Sequence, residues 1–248
     1  MSLTEVTTWN VVKKQYRYKL KSFGGVFTSL IAIQVISILF SLQGTGSRGG
    51  SSGNFDYRVT YFDGNLLLGF MMGWAFIIST IITTKAYRYD DFSFVATRKT
   101  SNLANVLFLF SASAFGAITV FLASHLLHVI VVNLSNPKTI LGDSLTFLQL
   151  VTGFGASILY LFLFTSVGYF VGMLVQFKKP FVFILPAVVI GTLVLDGTVN
   201  SSPEILPAIG TFFGLETSFL LFVIKALVVS FLFFTAAIFL SNRLEVRA

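Results

Sequence analysis

Residues 103–134, LANVLFLFSASAFGAITVFLASHLLHVIVVNL, run for 32 positions without one Asp, Glu, Lys or Arg. A helix lying on a soluble protein keeps a charged face toward water, and this stretch has none. A bilayer core about 30 Å thick takes roughly 20 apolar residues as a helix, so the stretch reads as a membrane span with length to spare. Working outward, five further apolar stretches fit the same description: 23–42, 66–84, 145–177, 181–199 and 219–240. The composition agrees. Of 248 residues, 55% are apolar, 29 are Phe and only 11% are charged, against about 25% charged in an ordinary soluble domain. Intrinsic disorder needs the opposite balance. With no cysteine, disulfides, thiolate nucleophiles and Cys-ligated zinc are excluded.

Six spans place both ends of the chain on one side, and Lys and Arg positions decide which side that is. Lys13, Lys14, Arg17, Lys19 and Lys21 precede span 1; Lys85, Arg88, Arg98 and Lys99 lie between spans 2 and 3; Lys178 and Lys179 lie between spans 4 and 5; Arg243 and Arg247 follow span 6. The other connections hold only Arg48, Arg58 and Lys138, and Lys225 sits inside the last span. The expectation is a multi-pass plasma-membrane protein with both termini cytoplasmic. The net charge of +7 then faces anionic lipid, and no nucleic-acid partner is expected, because no basic patch is interleaved with stacking aromatics. A cleaved signal peptide is not expected at span 1, since a long polar leader precedes it and five spans follow. Spans 3 and 4 exceed the bilayer; they either project toward the cytoplasm or tilt.

The leader, residues 1–22, reads as an amphipathic helix, separate from the six-span region 23–248. Ser2 and Glu5 have capping-box spacing, and Val6, Trp9, Val12, Tyr16 and Leu20 recur on one face. Lys14, Arg17 and Lys21 fall opposite, and Lys13 interrupts the apolar stripe unless it snorkels. This predicts a helix on the inner membrane surface with Trp9, Lys13, Lys14, Arg17 and Lys21 at the interface; a solvated basic arm is the alternative. Residues 44–53, GTGSRGGSSG, read as a flexible outer tether. They are no phosphate loop, since no Gly-Lys-Ser/Thr follows and no strand precedes. The connection 85–102, KAYRYDDFSFVATRKTSN, has mixed charge, four aromatics and neither Pro nor Gly. It is far longer than the 2–8 residues a turn needs, and suits a short helix with Tyr89, Phe92, Val95 and Ala96 on one side, in want of a partner surface.

The basic leader, the six spans, the helical connection between spans 2 and 3, and the Pro-interrupted apolar loop between spans 5 and 6 together resemble permease subunits of the ABC transporter type 2 family, which share the architecture of the G subfamily of ABC exporters. In that family the connection between spans 2 and 3 is a coupling helix, and Phe94-Val95-Ala96-Thr97-Arg98-Lys99 is similar to the stretch that runs through it, with Val-Ala where many relatives have Leu-Pro. The resemblance implies an all-α membrane fold, with Tyr89, Phe92, Phe94, Val95, Arg98 and Lys99 docking on a separate ATPase subunit present in two copies, the leader beside them, and a second permease subunit, identical or related. ATP and Mg would belong to the partner; this chain is expected to carry no cofactor, no metal site and no catalytic residue.

The loop 196–216 holds Pro203, Pro207, Gly210 and Gly214 among apolar residues. Pro suits a first helical turn and Gly a helix end, which predicts short helices re-entering the outer leaflet, with a plain outer loop as the alternative. Lys225 lies roughly 27 Å from Arg243 and Asp196 about 24 Å beyond Pro180 along their helices. They share a level and are expected to pair across spans 5 and 6, for structure or for gating, whereas Glu216, nine residues from Lys225, would point to the opposite face of one continuous helix. His125 and His128 share a face near the outer end of span 3; packing is the preferred reading over a metal or proton relay. Gly69-x-x-x-Gly73 and Gly168-x-x-x-Gly172 permit close helix packing inside the subunit or at a dimer seam. The scarcity of intramembrane charge favours a hydrophobic or amphipathic cargo. The rival functions are a channel or secondary transporter, and a non-transporting immunity protein.

Overall fold

The computed structural model describes residues 7–52, 55–87, 97–134, 146–199, 203–214, 216 and 218–243. It contains α1 (Thr8–Ser22), α2 (Gly24–Ser41), strands β1 (Gly46–Ser52) and β2 (Phe55–Tyr61), α3 (Asn65–Ile82), α4 (Arg98–Leu134), α5 (Phe147–Phe177), α6 (Phe181–Val199), α7 (Ile205–Gly214) and α8 (Phe219–Arg243). Of these, α2, α3, α4, α5, α6 and α8 are each long and apolar enough to cross a membrane. Local chemistry sets the two starts that differ most from the apolar pattern. Thr97 and Thr100 exchange backbone-to-hydroxyl bonds of 3.0 and 3.3 Å, a reciprocal cap that begins α4 five residues before the first uninterrupted apolar run. Thr146 and Gln149 form a full capping box ahead of α5. The helices of 37 and 31 residues measure about 55 and 46 Å.

The core lies between α3 and α5, with α2, α4 and α8 around them. Leu67, Met71, Ala75, Phe108, Leu109, Leu161, Tyr169, Met173, Phe234 and Ala237 form one buried cluster. Close approach of α3 and α5 depends on Gly168 and Gly172. A Cβ at Gly168 would stand 2.4 Å from the Phe76 carbonyl oxygen, and one at Gly172 3.0 Å from that of Thr80, while the Thr80 hydroxyl donates to the Gly168 carbonyl at 3.0 Å. This glycine pair therefore packs within the subunit. The pair on α3 does not: nothing among the described residues lies within 4 Å of a Cβ at Gly69 or Gly73. On the outside of the bundle Ile31, Leu39, Leu122, Phe183 and Phe231 are exposed, an apolar belt that water would not tolerate and lipid would.

Of the expected tether 44–53, the described residues from Gly46 to Ser52 form a strand. β1 and β2 form an antiparallel hairpin in register from Gly46 opposite Tyr61 to Ser52 opposite Phe55. The cause is in β2: Phe55, Tyr57, Val59 and Tyr61 alternate with polar residues, the pattern of a strand. Its Gly/Ser partner has little preference of its own and follows. Gly44 has φ +91°, with Thr60 Cγ2 2.4 Å from where its Cβ would be, so only glycine turns the chain there without strain. Thr45 closes the base by donating its N–H to the Tyr61 carbonyl at 2.8 Å.

Candidate functional site

The polar chemistry of the bundle gathers at its two ends. One end collects the starts of α2, α4 and α6 and the finishes of α5 and α8, and is here termed the basic end; the other carries the hairpin.

At the basic end α1 does more than skim a surface. Val12, Gln15 and Lys19, spaced by three and four, form its buried stripe, with Tyr16 and Leu20 packed alongside. The Tyr16 hydroxyl meets Ser111 Oγ at 2.7 Å and Lys19 Nζ donates to Asn105 Oδ1. The partner number falls as the α1 number rises, so α1 runs against the direction of α4. Lys14, Arg17 and Lys21 are exposed; Trp9 and Lys13, which the sequence pattern placed on the apolar face, are exposed as well, because the buried stripe runs through Gln15 and Lys19 instead. Lys19 departs from that pattern. Its side chain is fully buried, with the ammonium 5.7 Å from the Phe23 ring centroid.

From Lys19 the polar contacts continue across four helices. Asn105 Nδ2 donates to the Tyr169 hydroxyl at 3.2 Å; that hydroxyl donates to Asn102 Oδ1 at 2.8 Å; Asn102 Nδ2 donates to Ser241 Oγ at 3.1 Å. The chain of contacts ties α1, α4, α5 and α8 together, and every member is buried. In a low-dielectric interior such a network is strong while complete and costly when any member is removed. Arg98 donates to the carbonyls of Ser241 and Asn242 at 3.3 and 2.9 Å, placing a cation on the C-terminus of α8 where the helix dipole is negative. Lys99 is exposed. Tyr89, Phe92, Phe94 and Val95 lie outside the described residues, as do Ser2, Glu5 and Val6. Gln15 is buried with neither side-chain amide atom hydrogen-bonded among the described residues.

At the hairpin end the expected pairing of Asp196 with Lys225 is not formed. Lys225 pairs instead with Glu216, and Asp196 Oδ2 accepts from the backbone N–H groups of Glu204 and Ile205, both at 2.8 Å. The reason is that α8 begins at Phe219, so Glu216 is not on its helix and the nine-residue spacing does not set its direction. The short helix α7 lies between the two charges in sequence. Nearby, the Tyr160 hydroxyl donates to the Phe213 carbonyl at 2.9 Å. His125 turns its Nδ1 to the Phe121 carbonyl at 2.8 Å and packs on that ring; His128 is exposed. Among the described residues no three His, Asp or Glu side chains come together as a metal site would require.

Lys19, Asn102, Asn105 and Tyr169 escape a reading that counts charges and apolar runs. The signals were present: Lys19 stands seven residues after Val12, and two Asn residues three apart interrupt the start of an apolar span. No family model matches the chain, and neither a curated protein nor a solved structure does so.

Proposed function

We propose that the chain is the membrane-spanning subunit of an ATP-driven exporter of the ABC type 2 kind. Two permease subunits, identical or related, enclose a pathway, and two copies of a separate ATPase subunit bind ATP and Mg and dock on residues 89–99 from the cytoplasm. The observation that carries this reading is the docking of α1 along α4 through Lys19 and Asn105, seven residues after α4 emerges from that connection at Arg98. The leader is thereby held against the first turns of α4, the helix that follows the segment meant to receive the ATPase. In this reading a push on α4 reaches α5 and α8 through the contacts of Asn105 and Asn102 with Tyr169 and Ser241. The open glycine pair Gly69 and Gly73 offers α3 a close-packing seam for the second subunit. The apolar helix α7 suits a re-entrant element in the outer leaflet, capping a pathway for a hydrophobic or amphipathic cargo. The exposed cations of α1 suit anionic lipid on the cytoplasmic face.

The test is co-purification of the tagged chain from native membranes, wild type beside a Phe92→Asp/Val95→Asp variant. An ATP-binding subunit recovered with wild type and lost with the variant is the expected result. Intact protein with no ATPase in either preparation overturns the reading and favours an immunity protein or a channel.

A further inference from the structure

Helix α7 has ten residues and none of them is buried. A helix this short is marginal on its own in water, and with Ile205, Leu206, Ile209 and Phe212 all exposed it draws no support from an apolar core of this chain. Among the described residues its fixings are polar and sit near its two ends, one of them being the Tyr160 hydroxyl of α5, which donates to the Phe213 carbonyl at 2.9 Å. At the start, one oxygen of Asp196 takes both the Glu204 and the Ile205 N–H, and Asp196 is the sole buried residue of α6 over positions 181–198. At the finish, Lys225 on α8 reaches back to the Phe212 carbonyl at 3.4 Å and stands over the Phe212 ring at 4.3 Å from its centroid, with Glu216 holding the same ammonium. The carboxylate faces the positive pole of the helix and the ammonium the negative pole, so both charges are placed where the helix dipole favours them.

We infer that α7 is a strap clasped at its N-terminus by Asp196 of α6 and at its C-terminus by Lys225 of α8 together with Tyr160 of α5, and that the two ends open independently. The clasps sit on different spans, so separation of α6 from α8 must release one end of the strap while the other stays fastened. Two charges inside apolar spans, which would be an expense for anchoring a plain loop, are then explained as a hinge and a catch. The inference rests on the reading of α7 as lying in the outer leaflet.

The natural chain has no cysteine, which makes single-cysteine reporters clean. Leu206→Cys and Thr211→Cys, near the two ends of α7, are reacted with a membrane-impermeant maleimide on the full chain in liposomes, alone and combined with Asp196→Asn or with Lys225→Met and Tyr160→Phe. Asp196→Asn raises the rate at position 206 by about tenfold or more and leaves 211 within about twofold; Lys225→Met made together with Tyr160→Phe, which removes the hydroxyl held on the Phe213 carbonyl, does the reverse, as local opening of one end requires. Where either variant fails to fold, Glu204→Pro, which deletes one donor to Asp196, and Glu216→Gln with Tyr160→Phe, in which Glu216→Gln loosens Lys225, carry the same expectations. Equal acceleration at both positions, or none, overturns the strap. Parent rates matching that of Ser47→Cys in the exposed hairpin overturn the leaflet placement instead, while the ratio between the two ends still decides the clasps.

Discussion

Lys19 holds an ammonium at a position with no solvent exposure, and burying such a charge costs several kcal/mol unless its protons find acceptors. Asn105 is one such acceptor and is itself the donor to Tyr169. Asn105→Leu keeps the volume but strips the acceptor from Lys19 and the donor from Tyr169. It is expected to cost about 2–4 kcal/mol, read as loss of monodisperse protein on heating in detergent. Lys19→Met added to Asn105→Leu should recover at least about 1 kcal/mol relative to the sum of the single changes, because the two residues act through one contact. A cost within about 0.5 kcal/mol for Asn105→Leu would mean that the network is incidental. Charge placement alone could not find this contact: Lys19 counts as one more cation before span 1 until the facing Asn on α4 is in view.

Among the elements, the two glycine pairs share a spacing and differ in use. At Gly168 any side chain meets backbone of α3 at 2.4 Å, and a backbone atom within an intact helix has nowhere to move. Gly168→Ala is therefore expected to destabilise by about 3 kcal/mol or more, whereas Gly73→Ala, with open space around it, leaves the melting of the isolated subunit within about 0.5 kcal/mol. If α3 forms the seam to a second subunit, Gly73→Ala acts on cross-linked dimer yield and not on the subunit's melting. Equal effects of the two changes on melting would contradict the packing described. The hairpin and α7 belong to the same scale. Each is a short element whose partner settles its form: β2 recruits a Gly/Ser strand, and two charged side chains with the Tyr160 hydroxyl fasten a helix that has no buried residue.

Across the whole molecule, the basic residues gather at one end and the hairpin at the other, so the bundle has a polarity that surface labelling can orient. If the termini are cytoplasmic, Ser47→Cys is labelled on intact cells by an impermeant maleimide and Lys99→Cys only after permeabilisation. The opposite pattern would invert the positive-inside assignment and with it the docking side proposed for an ATPase. The chain of contacts from Lys19 to Ser241 sits at the same end as Arg98. Through that chain α1 is tied to α5 and α8 as well as to α4.

The six long apolar helices, their limits to within about five residues, the helical leader and the crowding of cations at one end were legible in the amino-acid sequence, because hydropathy and charge act residue by residue and a lipid solvent imposes a fixed length on each apolar run; the buried face of the leader was not. The choice of partners was not legible. Whether Lys225 meets Asp196 or Glu216, whether a glycine pair closes on a neighbouring helix or stays open, and whether a lysine of the leader is bathed or buried depend on which helix faces which. Only the packed bundle decides that, since burial and hydrogen-bond satisfaction are properties of contacts between segments distant in sequence.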